Sequence, residues 1–229
     1  MPSDAARAGT LPEGQVRAMF DRIAGVYDLM NSVMTAGLHH QWRDRAVALS
    51  EVGPGSRALD VATGTGDLAI ALAGAGATVV GSDFSEGMLD RARAKAPRLA
   101  WEWGDVRELP YDDGAFDACT VGFGARNYGD LDAGLREMAR VVRPGGRVVV
   151  LEITTPTRPP LSTFFRLWFD RLVPLLGRFD DAYTYLPASV RRFPDAHALG
   201  GRLVDAGLTD VRWVLTGGGI IAIHHGVKA

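Results

Sequence analysis

The chain has 229 residues, of which 47% are hydrophobic and 23% charged, and its formal net charge is -2. These values are typical of a soluble globular protein with one large core, and the near-neutral charge excludes a general electrostatic attraction to nucleic acid. Cys119 is the only cysteine, which excludes an internal disulfide and fits a reducing compartment.

The first fifty residues are predicted to be mainly helical, because apolar residues recur there at three- and four-residue steps. One stripe comprises Val16, Met19, Phe20, Ile23, Tyr27 and Met30, and a second comprises Leu38, Trp42, Ala46 and Leu49. Neither the N-terminus nor any later segment has the apolar run of a signal peptide or a membrane span. We therefore expect a cytoplasmic chain whose residues 1–50 form a helical cover.

From Arg57 onward, short apolar runs alternate with helical patterns near 67–75, 86–95 and 131–142, which predicts a doubly wound parallel sheet. The predicted strands are RALDVAT, ATVVGSD, RLAWEW, FDACTV, GRVVVLE, DVRWVLT and GGIIAIHHGVK. A helix near 195–206 precedes the last two, which are expected to form a hairpin through Gly217–Gly219. The predicted fold class is α/β: a Rossmann-like, mostly parallel seven-stranded sheet with an antiparallel terminal strand. We expect a single domain over 1–229, with a helical insertion at 153–194.

A glycine-rich turn lies in the segment ALDVATGTGDLAIAL, which has the pattern of strand, turn and helix. Gly64 and Gly66 let the backbone turn sharply and approach a ligand without a Cβ in the way, and Thr65 lies between them. Asp83 falls at the end of the next predicted strand, where its carboxylate can accept hydrogen bonds from ribose hydroxyls. These features predict a nucleoside site; the alternative is a tight turn followed by a surface aspartate.

The charge around this turn distinguishes between two nucleoside cofactors. No lysine or arginine occurs between Arg57 and Arg91, whereas Asp60, Asp67, Asp83, Glu86 and Asp90 are all acidic. A pyrophosphate binds at a helix N-terminus through its partial positive charge, and Asp67 in the first turn would repel it. S-adenosylmethionine carries a sulfonium and an ammonium group and no phosphate, so the acidic turn favours it over NAD.

Two further segments follow predicted strands at the same edge of the sheet. Asp105 can accept a hydrogen bond from an adenine amino group while Val106 packs on the ring, and Gly122 follows the fourth strand close to the cofactor. Asp105 can equally be a turn former before Leu109 and Pro110, and both interpretations stay open.

Several motifs resemble those of the ubiquinone/menaquinone biosynthesis C-methyltransferase family, within the class I methyltransferases. They are YDLMN and GLHHQW (27–31 and 37–42), FGARN (123–127), RVVRPGGRVVVLEIT (140–154) and the closing GGIIAIHHGVK. The resemblance extends from Val16 to Lys228, with mild departures at Thr35, Arg143 and Thr154. It implies methyl transfer from S-adenosylmethionine to a ring carbon of a polyprenylated quinol. The cofactor contacts that it implies are Thr65, Asp83, Asp105, Val106 and Gly122.

The same resemblance implies roles on the substrate side for Arg126, Asn127 and Tyr27. Arg126 would stabilise a quinol oxyanion, while Asn127 and Tyr27 would orient hydroxyl groups. The alternatives are an ion pair of Arg126 with Asp130 and core packing of Tyr27. Two pairs of adjacent histidines occur, namely His39 with His40 and His224 with His225. Histidine is a candidate general base near neutral pH, but the sequence does not assign one. The pairs lack the spacing of metal ligands, which disfavours a metal site.

The stretch 27–42 is predicted to be a substrate-side cover, because the cofactor turn needs only the sheet that begins near Arg57. Its large apolar side chains suit a flat ring: Tyr27, Met30, Met34 and Trp42. The alternative is that both helices merely cap the core.

Demethylmenaquinol is the substrate expected from the resemblance, with the benzoquinol precursor of ubiquinone as the alternative. An NAD-dependent oxidoreductase and a non-catalytic S-adenosylmethionine-binding protein are the other hypotheses. FFRLWFDRLVPLLG (164–177) is either a lid over the sheet edge or an apolar wall for an isoprenoid tail, with peripheral contact at the inner face of the membrane. The sequence leaves a homodimer open.

Overall fold

A seven-stranded sheet forms the centre of the computed structural model, which describes residues 12–23, 37–156, 162–163 and 181–229. The strands are β1 (Arg57–Val61), β2 (Thr78–Asp83), β3 (Ala100–Trp103), β4 (Phe116–Gly122), β5 (Val142–Ile153), β6 (Leu208–Thr216) and β7 (Ile221–Lys228). The helices are α1 (Glu13–Ile23), α2 (Leu38–Ser50), α3 (Asp67–Gly74), α4 (Glu86–Lys95), α5 (Leu131–Val141), α6 (Asp181–Arg192) and α7 (Ala196–Asp205). Short 3₁₀ turns cover Ala125–Asn127 and Gly217–Gly219. The seven predicted strands and the helices predicted between them are confirmed within a few residues.

The strand order is β3-β2-β1-β4-β5-β7-β6, which places β1 between β2 and β4. The pairs from β3 to β5 are parallel, and β7 is antiparallel to both β5 and β6. The predicted fold class is therefore confirmed, including its antiparallel terminal strand. The chain runs outward from β1 to β3 and then returns to β4 on the other side of β1. Where the direction reverses in this way, the loops after the two strands diverge and leave a crevice at their carboxyl ends.

Apolar side chains on the two faces of the sheet form two separate cores. Successive residues of β5 alternate between them, with Val148 and Val150 in one core and Val149 and Leu151 in the other. Helices α5 and α7 cover the first core, and α2 and α3 cover the second. Cys119 lies buried in β4 within the first core.

Helix α2 follows Gly37 directly, and the φ of 78° at this glycine separates the helix from the preceding chain. Its buried face differs from the predicted stripe, since Leu38 is 42% exposed while His39 and Arg43 are buried. Trp42 packs in the second core with its ring edge-on to Phe123, at 6.3 Å between ring centroids. The prediction that Trp42 faces the substrate is wrong, because the sheet face under α2 takes up this large apolar side chain.

Helix α1 is attached to the N-terminal end of α4 by the carboxylate of Asp21. Its Oδ1 accepts a hydrogen bond from Ser85 Oγ at 2.5 Å and one from the Gly87 amide at 3.2 Å. Residues 24–36 lie outside the described part of the chain. Tyr27, Met30 and Met34 are among them, so their role in a substrate-side cover stays a prediction.

The C-terminal part of the predicted insertion contains helix α6, which packs against the 3₁₀ turn Ala125–Asn127. The stretch 164–177 lies outside the described residues, so both interpretations of it stay open. Among the helices in the described ranges, none is long and apolar enough to cross a membrane.

The ring of Trp101 lies across two glycines that shape the ligand edge of the sheet. A Cβ built on Gly81 would lie 2.4 Å from this ring, and one built on Gly66 would also lie 2.4 Å from it. The Trp101 indole is fixed in place because its Nε1 donates to the Ala96 carbonyl at 2.9 Å. Only glycine fits at either position without moving the tryptophan.

We expect Gly81→Ala to lower the free energy of unfolding by about 1–3 kcal/mol, the usual cost of inserting a group into a packed site. Gly74→Ala is the matched control, because a Cβ there meets nothing within 4 Å. It should leave stability unchanged or raise it by up to about 1 kcal/mol. Urea denaturation of both variants measures the difference, and equal midpoints would contradict the packing role of Trp101.

Candidate functional site

A cleft lies at the carboxyl ends of the central strands, at the switch point between β1 and β4. Its volume, including the part open to solvent, is about 950 Å³, which is large enough for a nucleoside ligand. Most of the predicted site residues line it: Asp60, Gly64, Thr65, Asp83, Asp105, Val106, Gly122 and Asn127. Gly66 and Arg126 adjoin lining residues without lining the cleft themselves, and Tyr27 lies outside the described residues.

The buried carboxylate of Asp83 ties the glycine turn to the neighbouring strand. Its Oδ2 accepts from the Gly64 amide at 2.7 Å, and its Oδ1 accepts from the Ser85 amide at 2.9 Å. Gly64 has a φ of 57° and Gly66 one of 85°, so both occupy the left-handed region that the tight turn requires. Burial raises the pKa of Asp83 to about 6 because it disfavours the charged form.

Asp60 is held differently, between two threonine hydroxyls. Thr63 donates to its Oδ2 at 2.5 Å and Thr120 donates to its Oδ1 at 2.6 Å, and the residue is almost fully buried. Burial raises the pKa of Asp60 to about 6 as well. Both oxygens already accept from the protein, so its direct contact with a cofactor stays a prediction.

Asp67 occupies the first turn of α3, as predicted, but its negative charge is paired with two cations. Arg43 of α2 contacts its Oδ2 at 2.9 Å, and Lys95 of α4 contacts its Oδ1 at 2.7 Å. Lys95 also donates to Thr65 Oγ1 at 2.9 Å. The turn is acidic in the local sequence, yet the fold brings two cations to it from other helices.

Asp105 is a turn former that also lies in the cleft lining, and its contact with adenine stays a prediction. It lines the cleft, and it also organises its own turn by accepting hydrogen bonds from Arg107 Nε at 3.0 Å and Arg107 Nη2 at 2.5 Å. These bonds lower the pKa of Asp105, so it stays ionised at neutral pH. Val106 lies beside it in the cleft lining.

Arg126 has a buried partner that its sequence neighbours do not reveal. Its Nη1 lies 2.7 Å from Glu152 Oε1, and Glu152, at the carboxyl end of β5, is only 1% exposed. The ion pair considered as the alternative role of Arg126 is present, but its partner is Glu152 rather than Asp130, which caps α5 by accepting from the Ala133 amide at 3.0 Å. Asn127, one residue on, lines the cleft with a buried Oδ1 that has no hydrogen-bond partner among the described residues.

Several residues of the cleft were missed by the sequence analysis. Ala62 and Phe123 follow β1 and β4 with φ values of 47° and 60°, a conformation that costs energy for residues other than glycine. Both line the cleft, as does Arg43. Nothing in the sequence indicates the positive φ values of these two residues. Arg43, in contrast, directly follows the motif GLHHQW, and its position there could have identified it as a site residue.

The histidines lie away from the cleft lining. His224 Nε2 is 2.8 Å from the Ala196 carbonyl, and its ring stacks on Trp213 at 5.5 Å between centroids. Burial lowers the pKa of His224 to about 4, so this imidazole is neutral at physiological pH. It is a structural residue of the terminal hairpin.

The sheet order and the switch-point cleft define the class I methyltransferase fold, which solved structures share. A possible histamine N-methyltransferase from Thermotoga maritima matches with a TM-score of 0.68 at 19% identity, covering 93% of this chain and 99% of that one. A putative S-adenosylmethionine-dependent methyltransferase from Methanococcus maripaludis matches with a TM-score of 0.65 at 17% identity, covering 91% and 93%.

The chain belongs to the ubiE/COQ5 methyltransferase family, whose model matches residues 9–228. A protein of Mycolicibacterium gilvum named demethylmenaquinone methyltransferase is 44% identical over 93% of this chain and 95% of its own length. A protein of the same name from Mycobacterium tuberculosis is 42% identical over 93% and 92%. The chain is thus an S-adenosylmethionine-dependent methyltransferase, and the NAD hypothesis is set aside.

The residues present fit S-adenosylmethionine. Asp83 offers a buried acceptor at the strand end, Gly64 leaves room for close approach, and Val106 provides an apolar contact. The cleft also contains a buried arginine with an unsatisfied nitrogen, Nη1 of Arg43. We expect Asp83, Asp105 and Val106 to hold the adenosine part.

We expect the affinity for S-adenosylmethionine to fall as the pH drops below about 6, by up to roughly tenfold per pH unit, because protonation removes the acceptor on Asp83. The stability of the unliganded protein changes in the opposite direction: folding raises the pKa of Asp83 from 3.8 to about 6, so the folded protein holds this proton more tightly than the unfolded chain, and the stability that the proton contributes is lost as the pH rises to about 6. Asp83→Asn should weaken binding by about 1.5–3 kcal/mol at neutral pH and flatten this dependence. Calorimetry across the pH range measures both, with Asp117→Asn, outside the cleft, as control. A parent affinity independent of pH would contradict the role of Asp83.

Arg126→Ala should lower the free energy of unfolding by about 3–5 kcal/mol, because it leaves the buried Glu152 carboxylate without its counter-charge. The double variant Arg126→Gln/Glu152→Gln should be closer to the parent, since it buries no unpaired charge. Thermal unfolding of the two variants compares them. If the single variant is as stable as the parent, the ion pair does not stabilise the fold.

Proposed function

We propose that the chain methylates a ring carbon of demethylmenaquinol in menaquinone biosynthesis. The observation that carries this proposal is the match, over nearly full length and at 42–44% identity, to proteins named demethylmenaquinone methyltransferase. The benzoquinol precursor of ubiquinone is the second candidate, because the sequence motifs resemble those of a family of ubiquinone and menaquinone biosynthesis.

The reaction joins the methyl carbon to the ring carbon as the bond between the methyl group and sulfur breaks, and sulfur leaves as a neutral thioether. S-adenosylmethionine supplies an activated methyl group, so neither a metal nor a covalent protein nucleophile is required. The ring carbon must be electron-rich, which deprotonation of the adjacent quinol hydroxyl achieves. The ring hydrogen then leaves as a proton and aromaticity is restored. The protein has to align the two reactants and accept or orient the hydroxyl proton.

Asn127 is the described residue best placed to orient that hydroxyl. Its Oδ1 is buried in the cleft wall and has no hydrogen-bond partner among the described residues, which costs free energy. A quinol hydroxyl that donates to this oxygen would remove that cost. Asn127 lies on the 3₁₀ turn after β4, and the neighbouring Phe123 adds an apolar ring to the cleft lining. This side of the cleft is therefore suited to an aromatic substrate with a polar substituent.

Arg126 is proposed to act through charge from behind the cleft wall. Glu152 and the Phe123 carbonyl, which accepts from Arg126 Nη1 at 2.5 Å, fix its guanidinium. A cation held in this way beside Asn127 would favour a developing oxyanion without direct contact. Tyr27 is proposed, on the family resemblance alone, to meet a second quinol oxygen.

Peripheral contact with the membrane is part of the same proposal. A polyprenylated substrate resides in the lipid phase, and FFRLWFDRLVPLLG combines aromatic and aliphatic residues with two arginines, a composition that suits an interface. The parent chain should pellet with vesicles of anionic lipid, and Phe165→Ser should lower the fraction that pellets.

The purified chain, incubated with methyl-labelled S-adenosylmethionine, should transfer label to demethylmenaquinol and much less to the benzoquinol. The oxidised quinone should take up no label, because it lacks the hydroxyl whose ionisation activates the ring.

Asn127→Leu should slow turnover about tenfold or more, equivalent to ~1.4 kcal/mol of barrier, while the affinity for S-adenosylmethionine stays near the parent value. Asn127→Asp, which keeps an acceptor of the same shape, is the matched variant and should retain more activity. Cofactor binding without transfer to either quinol would refute the proposal.

A further inference from the structure

Arg43 is a buried cation in the wall of the cofactor cleft, only 8% exposed. Its Nη2 pairs with Asp67 at 2.9 Å, but its Nη1 is buried and has no hydrogen-bond partner among the described residues. Leaving a charged donor buried and unsatisfied is costly, so such a nitrogen calls for an acceptor that the protein does not supply.

The other cations near the cleft already have acceptors. Arg107 lines the cleft but binds the Asp105 carboxylate through Nε and Nη2. Lys95 donates to Thr65 and Asp67 and is not part of the lining. Arg43 is therefore the lining cation, within the described ranges, that presents an unsatisfied buried nitrogen.

The sheet order fixes which end of the ligand meets Arg43. Asp105 and Val106 follow β3 and Asp83 ends β2, so the adenosine part lies on that side. Arg43 lies by Asp67, at the turn that follows β1, and Gly122 ends β4 next to β1. A ligand that runs from β3 towards β4 brings its methionine end to Arg43.

We infer that Arg43 binds the α-carboxylate of S-adenosylmethionine. This carboxylate is the anionic group of a ligand that otherwise carries two cationic groups, and the lining is otherwise rich in carboxylates. A guanidinium that holds Asp67 with one nitrogen and the ligand with the other links the cofactor to the first turn of α3. The inference concerns the cofactor and does not depend on which quinol is methylated.

The parent protein tests this inference without any mutation. Decarboxylated S-adenosylmethionine keeps the sulfonium and the amine but lacks the carboxylate. Calorimetry should show the parent binding S-adenosylmethionine about tenfold to a hundredfold more tightly than the decarboxylated ligand. Equal affinities would overturn the assignment.

Arg43→Gln should reduce that preference to about threefold or less, while Arg43→Lys, which keeps the charge, should retain part of it. Methylthioadenosine lacks the whole amino acid part and reports on the adenosine site, so its affinity should stay near the parent value in both variants. An undiminished preference in Arg43→Gln would overturn the inference.

A merely structural role for Arg43 gives a different result. If Arg43 only neutralises Asp67, then Arg43→Gln should weaken all three ligands alike, and Arg43→Gln/Asp67→Asn should restore them. Under the carboxylate assignment, this double variant does not recover the preference for S-adenosylmethionine over its decarboxylated form. Recovery of the preference in the double variant would therefore count against the inference.

Discussion

The buried carboxylate of Asp83 is the constraint on which the rest of the cleft depends. A charged group inside the protein must be surrounded by donors, and here backbone amides serve, among them one from the glycine turn after β1 and one from the start of α4. These bonds fix the turn relative to β2. The same burial raises the pKa of the Asp83 carboxyl, because it disfavours the charged form. In the unliganded protein, the carboxylate that would accept from a ribose is therefore less stable than it would be in water. Such tension between stability and binding is common at functional sites.

Charge balance in the cleft combines contacts between distant segments of the chain with one local pair. Asp67 is paired with Arg43 and Lys95, and Asp105 is paired with Arg107. Asp60 has hydroxyl partners instead and remains a buried anion between Thr63 and Thr120. The cleft thus keeps an excess of carboxylates, which suits a ligand with a sulfonium and an ammonium group.

The ends of β4 and β5 organise the side of the cleft that is proposed for the substrate. Phe123 adopts a positive φ directly after β4, and the next turn carries Arg126 and Asn127. Glu152 at the end of β5 anchors that turn through the buried ion pair with Arg126. Gly124 is required here, because a Cβ would lie 2.6 Å from that of Ala62. Strain and a buried charge pair are therefore concentrated on the side of the cleft that is proposed to receive the quinol.

The sequence by itself determined the alternation of strands and helices, the glycine turn and the position of Asp83, because each depends on local periodicity or on backbone geometry near one residue. It also predicted the cofactor, although by an argument from local charge that omitted Arg43 and Lys95. Only the tertiary structure decided that Arg126 pairs with Glu152, that Trp42 belongs to the core and that Arg43 lines the cleft. Those outcomes depend on which helix face the sheet covers and on contacts between residues far apart in the chain, and neither is encoded in a short stretch of sequence.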